Sequence, residues 1–189
     1  IFDDISIFLS ILADPHLIHY HFIAICFISL ALLYQNKNNI NKLERTLIKT
    51  SCSVLTFLAS GVCLAIGLVL KHFTSMSRPF CSLDNIHALK EVTDKLTCTH
   101  SFPSGHTMLS IMIVVSLWSV FNRPFKVLSI LFIMLTIISR MSSGAHFPLD
   151  IIGALVITLP LSIYLRGKIN TIIRYFEQNG IYLTLYIEK

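Results

Sequence analysis

Charge is scarce in this chain. Only 13% of its 189 residues are Asp, Glu, Lys or Arg, against about 25% in an ordinary water-soluble domain. That scarcity, with 54% apolar residues and a mean hydropathy of +0.72, excludes a soluble globular class and points to an integral membrane protein. Other absences narrow the field. The net charge of +5 and pI near 9.0 come with no dense basic tract and no aromatic–basic interleaving, which argues against nucleic acid as a partner. The opening IFDDISIFLSILADP has two early aspartates and no basic n-region, so it does not read as a cleavable signal peptide. No internal repeat or low-complexity segment breaks the chain, and its length fits one domain over residues 1–189.

What is present is a series of apolar runs. A run of roughly 18 residues crosses a bilayer as a helix, and five qualify: about Leu17 to Tyr34, Thr50 to Leu70, Ser104 to Phe121, Phe125 to Ile138 and Pro148 to Leu165. Such helices satisfy their own backbone hydrogen bonds in lipid. The expected fold is therefore an all-α, polytopic transmembrane helix bundle. Residues 1–16, apolar but carrying Asp3 and Asp4, read as an interfacial segment, with a sixth crossing left open. Residues 166–189 read as an amphipathic, basic tail suited to lying on the inner membrane face.

The Lys and Arg residues set the orientation. Ten lie on the side of loop 35–49, loop 122–126 and the tail; five (Lys71, Arg78, Lys90, Lys95 and Arg140) lie on the other. The richer side is expected to be cytoplasmic, so the poorer one faces the periplasm or exterior. The long connection 71–103 lies on that outer side. It holds Cys81 and Cys98, where an oxidising compartment favours a disulfide. A bridge is one reading and two free thiols the other, since spacing does not fix geometry. Cys26, Cys52 and Cys63 fall within spans and read as small apolar residues.

The outer side also collects the chemistry. Lys71 ends the second run and Arg78-Pro79 follows. Ser104-Gly105-His106 opens the third run, Arg140 closes the fourth, and His146 and Asp150 lead into the fifth. A Lys or Arg at a span end is ordinarily an interfacial anchor, and a lone His at a helix start is more often structural. Three cations delivered to one face, however, require an anion. Arginine's planar fork matches phosphate. The first N–H groups of a helix opening Ser104-Gly105 lack intrahelical partners and attract anions. These parts make a phosphate cradle. His146 can attack phosphorus while Asp150, four residues on, fixes its tautomer. His106 can protonate the departing oxygen and then activate water. Lys71, Arg78 and Arg140 balance the phosphoryl charge, so this chemistry asks for no metal and no cofactor.

Asp14-Pro-His16-x2-His19-x-His21 has the look of a metal cluster. It reads instead as interfacial histidines around a helix cap, because no ligand set is secure. His72 and His100 flank the cradle segments, within reach of a substrate headgroup.

Taken together, Lys71-x6-Arg78-Pro79, Pro103-Ser104-Gly105-His106 and Ser139-Arg140-x5-His146-x3-Asp150 resemble the three signature motifs of the type 2 phosphatidic acid phosphatase superfamily. That superfamily includes membrane lipid phosphatases, glucose-6-phosphatase and vanadium haloperoxidases. Each motif alone is weak; the ordered set, over residues 71–150, is specific. The resemblance implies a helical membrane bundle and a metal-independent phosphohistidine mechanism, with vanadate as a phosphate mimic. His146 would be the nucleophile, Asp150 its partner and His106 the acid. Bacterial members often have six spans, one more than the clear ones here. The implied substrate is a lipid phosphomonoester or diphosphate at the outer leaflet of a bacterial inner membrane. Lipid A or undecaprenyl diphosphate comes first, then phosphatidylglycerophosphate and phosphatidic acid. Two rivals stand beside it. A lipid phosphotransferase would use the same residues. A transporter or scaffold would ordinarily carry its charges at mid-membrane.

Overall fold

The computed structural model describes residues 2–84, 88, 89, 93, 94 and 96–178. The end of the expected basic tail, residues 179–189 with Lys189, and Lys90 and Lys95 lie outside the described residues. Seven helices lie wholly within the described residues, with no strand among those residues: α1 (Phe2–Leu12), α2 (Ile18–Gln35), α3 (Ile40–Thr74), α4 (Pro79–Ser82), α5 (Gly105–Leu117), α6 (Arg123–Ser142) and α7 (Pro148–Gln178). A short 3-10 turn, Pro15–Leu17, joins α1 to α2.

Local chemistry sets these boundaries. Asp14 accepts from the His16 N–H and Pro15 opens the turn; Pro is tolerated there because that N–H would be unpaired anyway. Asn39 caps α3 through the Lys42 N–H, and Asn122 caps α6 through the Phe125 N–H. The cap at Asn39 makes a helix of residues 40–49, which were expected to be loop. Consequently α3 runs 35 residues, about 52 Å, and carries Arg45 and Lys49 on the helical stretch that leads into the apolar run from Thr50. Similarly, residues 166–178 continue α7 without a break rather than forming a separate tail helix. Pro160 lies inside α7, which packed neighbours tolerate in a membrane helix.

Four stretches are long and apolar enough to cross a membrane: Asp3–Gln35, Ile40–Ser82, Arg123–Ser142 and Pro148–Gln178. The third expected span departs from that pattern. Helix α5 has only 13 residues, about 20 Å against a hydrocarbon layer of about 30 Å. It ends where Val120 and Phe121 both turn back to the Leu117 carbonyl. Its surroundings explain the shortness. Ten of its residues are buried, and α3, α6 and α7 pack around it. Protein rather than lipid encloses it, so it need not match the bilayer.

Buried small and polar side chains let the helices approach, as membrane bundles favour. Thr50, Ser53, Thr56 and Ser60 line α3; Thr107, Ser110 and Ser116 line α5. Ser110 and Ser116 return their hydroxyls to the carbonyls of Thr107 and Met112. Around them sit Ile25, Phe57, Leu109 and Leu117 in one cluster and Cys63, Met108, Met112 and Ala154 in another. Large apolar side chains such as Phe27, Leu68, Val127 and Val156 point outward, as a lipid-facing surface requires.

Candidate active site

The C-terminal ends of α3 and α6 and the N-terminal ends of α5 and α7 meet at one rim of the bundle. Helix α3 closes at Ser75, in the left-handed region, whose N–H returns to the Lys71 carbonyl. Lys71 then reaches across to the carbonyls of His100 (2.9 Å) and Ser101 (3.3 Å). Pro79 disfavours a helical Arg78, so Arg78 is extended (φ −89°, ψ 154°) and stands at the cap of α4. Its guanidinium donates to Thr97 O (2.8 Å), Ala145 O (3.0 Å) and His100 O (3.3 Å), and its Nη1 lies 3.3 Å from His146 Nε2.

Gly144 (φ 72°) turns the chain sharply between α6 and α7, a conformation that favours glycine. The turn places His146 in the rim, with its N–H on the Arg140 carbonyl at 3.2 Å. His146 Nδ1 lies 3.3 Å from Asp150 Oδ2. The same carboxylate oxygen accepts from the Phe147 N–H at 2.9 Å and from the Ser101 hydroxyl. With Nδ1–H directed at a carboxylate, the Nε2 lone pair faces Arg78. Burial, reinforced by Arg78, Lys71 and Arg140, pushes the His146 pKa down to about 3, against the raising pull of the bond to Asp150. The imidazole is therefore neutral at physiological pH, with a free electron pair on Nε2.

Arg140 is only 1% exposed. Its Nη1 donates to Ser10 Oγ on α1, while its Nε and Nη2 are buried with no hydrogen-bond partner among the described residues. His106, in the first turn of α5, has Arg140, His146, Arg78 and Lys71 as its electrostatic neighbours. Ser104 stands at the cap of α5 without a side-chain capping bond. Its N–H goes to the Asp150 carbonyl at 3.1 Å, which ties the start of α5 to that of α7. Gly105 faces Pro15: a Cβ there would sit 3.0 Å from the proline ring. Its small size thus admits the N-terminal segment to the rim. Cys81 and Cys98 are bridged. The bridge ties α4 to the 97–101 segment whose carbonyls hold Arg78 and Lys71.

Every residue singled out in the motifs therefore reaches this one rim, though not in one way. Lys71, Arg78, His146 and Asp150 form a hydrogen-bonded chain; Arg140 and His106 approach it without a direct side-chain bond to it. Sequence reasoning missed two contributors. Ser101, fully buried, bonds Asp150 and lies 3.4 Å from His146 Nδ1; a serine one turn outside a motif has no signature. Ser6 and Ser10 hold Ser139 and Arg140 from α1. Their spacing of four in an apolar helix was the available signal. The His100 ring is engaged with the Lys71 carbonyl at 2.7 Å. In the histidine cluster, His21 places its two ring nitrogens on the carbonyls of Leu17 and Leu12.

A model of the PAP2 superfamily matches residues 50–172, a stretch that includes all three motif segments. A comparison with curated proteins finds no match. Among solved structures, the crystal structure of Aquifex aeolicus LpxE is similar, with 21% sequence identity and a TM-score of 0.51, covering 84% of this chain and 92% of that one. That likeness is one of fold.

Proposed function

This chain belongs to the PAP2 superfamily, and from that premise we propose that it is a membrane lipid phosphatase working through a phosphohistidine intermediate. The observation that carries the reading is Arg140. A buried cation with two unpartnered donors is costly, and an anion seated among Arg140, Arg78 and Lys71 would satisfy all three.

In the proposed cycle the phosphoryl group enters the rim and takes over the Arg78 bond now made to His146 Nε2. The freed lone pair attacks phosphorus, the P–O bond to the lipid breaks, and His106 donates a proton to the departing oxygen. Asp150, held by Ser101 and the Phe147 N–H, stabilises the positive charge that forms on His146. A water molecule then gives a proton to His106 and attacks phosphorus. The P–N bond breaks and inorganic phosphate leaves. Three cations and the start of α5 stabilise the equatorial oxygens, so this cycle needs no metal.

The rim lies at the ends of apolar helices, which suits a headgroup presented from the bilayer. The substrate class proposed is a lipid phosphomonoester or diphosphate, at the outer leaflet of an inner membrane, with the rim facing the periplasm. The whole of 1–189 would act as one domain, with five helices forming the bundle. The test is phosphate release by purified protein from a panel of lipid phosphates, with no second lipid present. We expect release from at least one member, unaffected by EDTA and abolished by His146→Ala. Substantial turnover by His146→Ala overturns the nucleophile assignment. Release that depends on an acceptor lipid favours phosphotransfer instead.

A further inference from the structure

The opposite end of the bundle carries a second concentration of positive charge. A cavity of about 680 Å3 opens there, with Arg45 and Lys49 on α3, Lys126 on α6, and Arg166 and Arg174 on α7 among its lining residues. Lys49 and Lys71 are 22 positions apart on one helix, about 33 Å. This cavity therefore lies roughly one hydrocarbon thickness from the cradle and belongs to a different site.

Its cations are unmatched. Glu177 is the one carboxylate in the lining, and none of the five cations forms an ion pair among the described residues. Two of them are nevertheless held in place. Arg166 directs Nε and Nη2 at Ser119 Oγ (3.3 and 3.0 Å), which leaves its remaining N–H donors free. Lys126 sits 5.1 Å from the centre of the Trp118 ring, a cation–π contact that places an interfacial aromatic in the wall. The same two helices, α3 and α7, also bound an apolar cleft of about 340 Å3 lined by Leu55, Leu58, Ala59, Ile169, Ile172 and Ile173. Cationic donors that share one lining with Trp118 and the apolar side chains of Ile48 and Ile163 suit a molecule with an anionic head and a hydrocarbon tail. A free anion would use only the first.

We propose that this cavity binds the phosphate headgroup of an anionic phospholipid, with an acyl chain along the α3–α7 cleft. Basic pockets between membrane helices recognise headgroups in this way. The site depends on the chain lying in a membrane and is independent of the phosphatase chemistry at the other rim.

The experiment uses the full chain in detergent, with phosphatidylglycerol, phosphatidylcholine or inorganic phosphate added. Native mass spectrometry reads retained lipid and thermal unfolding reads Tm. Phosphatidylglycerol should be retained and should raise Tm by several degrees, on the order of 3–5 °C, more than phosphatidylcholine does. The variant Arg45→Gln/Lys49→Gln/Arg174→Gln removes three exposed cations. At about five-fold per cation it should weaken retention on the order of 100-fold and abolish the extra Tm shift. Lys71→Gln, at the other rim, should leave both unchanged. Should the triple variant unfold, Lys49→Gln alone should show the five-fold loss. Retention by the triple variant equal to that of the wild type overturns the site. So does loss of retention in Lys71→Gln. An equal Tm shift with inorganic phosphate overturns the lipid as its occupant.

Discussion

At one rim of the bundle Arg140 is buried, its side chain bonded to Ser10 and two of its donors without a partner among the described residues. At the other, Arg45, Lys49 and Arg174 stand exposed on the polar ends of α3 and α7. Burying a cation carries a large desolvation penalty, repaid only by an opposite charge with good geometry. Leaving one in water at a membrane surface carries almost none, and its attraction for anionic headgroups is graded and additive. The first arrangement can grip and polarise a single phosphoryl group. The second can only recruit and retain. Between them the sequence has no Asp, Glu, Lys or Arg from Thr50 to Leu70, from Val127 to Ser139, or from Ile151 to Leu165, so no charged path of the kind a transporter requires links the two regions along α3, α6 or α7.

The comparison breaks most easily at Arg140. Replacing it with Gln removes the charge while leaving an amide for Ser10. We expect kcat/KM for the lipid phosphate to fall about 1,000-fold, the scale for a cation that stabilises phosphoryl charge. Arg166→Gln, at the other rim, should change it by less than about two-fold. Steady-state phosphate release measures both. Equal losses would mean that the two rims are not functionally distinct.

Much of this contrast was legible in the sequence, because lipid penalises charge wherever it is not needed. Lys71, Arg78, Arg140, His146 and Asp150 stand out at the ends of apolar runs, and apolar length locates α2, α3, α6 and α7. The extent of helices was less legible. Asn39 and its neighbours propagate α3 through a stretch too polar to be read as a span, and α5 is short because protein surrounds it. Neither fact resides in local hydropathy. The supporting contacts were least legible. Ser101 and Ser10 act through single hydroxyls, and the carbonyls of Thr97, His100 and Ala145 hold Arg78 through backbone atoms that every residue possesses.

Those carbonyls lead to a second test. The bridge between Cys81 and Cys98, 17 residues apart, closes the segment that positions Arg78 and Lys71. In the chain-entropy model a loop of this size is worth about 3 kcal/mol. Cys81→Ser/Cys98→Ser should therefore lower Tm and reduce phosphate release together. Lipid retention at the other rim should survive at temperatures below the new transition. Thermal unfolding with and without reductant reads the effect; reductant should lower the Tm of the wild type and leave that of the double variant unchanged. A wild-type Tm indifferent to reductant would show that the bridge does not constrain the cradle.

The smallest expected effect concerns the proton on His146. Its pKa is about 3 in the folded chain and about 6.5 in an unfolded one. Below pH 6.5 the unfolded state takes up a proton that the folded state refuses, so stability falls as pH falls, and it continues to fall until pH approaches 3. Between pH 6.5 and 5.5 this one group should remove about 1 kcal/mol. His146→Gln abolishes that contribution, so the wild type should lose more stability than the variant over this interval by about that amount. Other titrating groups affect both proteins and drop out of the difference. Arg45→Gln, at the far rim and away from the imidazole, should leave the slope as it is in the wild type. Parallel pH profiles for wild type and His146→Gln would mean that the imidazole is not held neutral by its burial among three cations, and the contrast between a desolvated rim and a solvated one would lose its electrostatic basis.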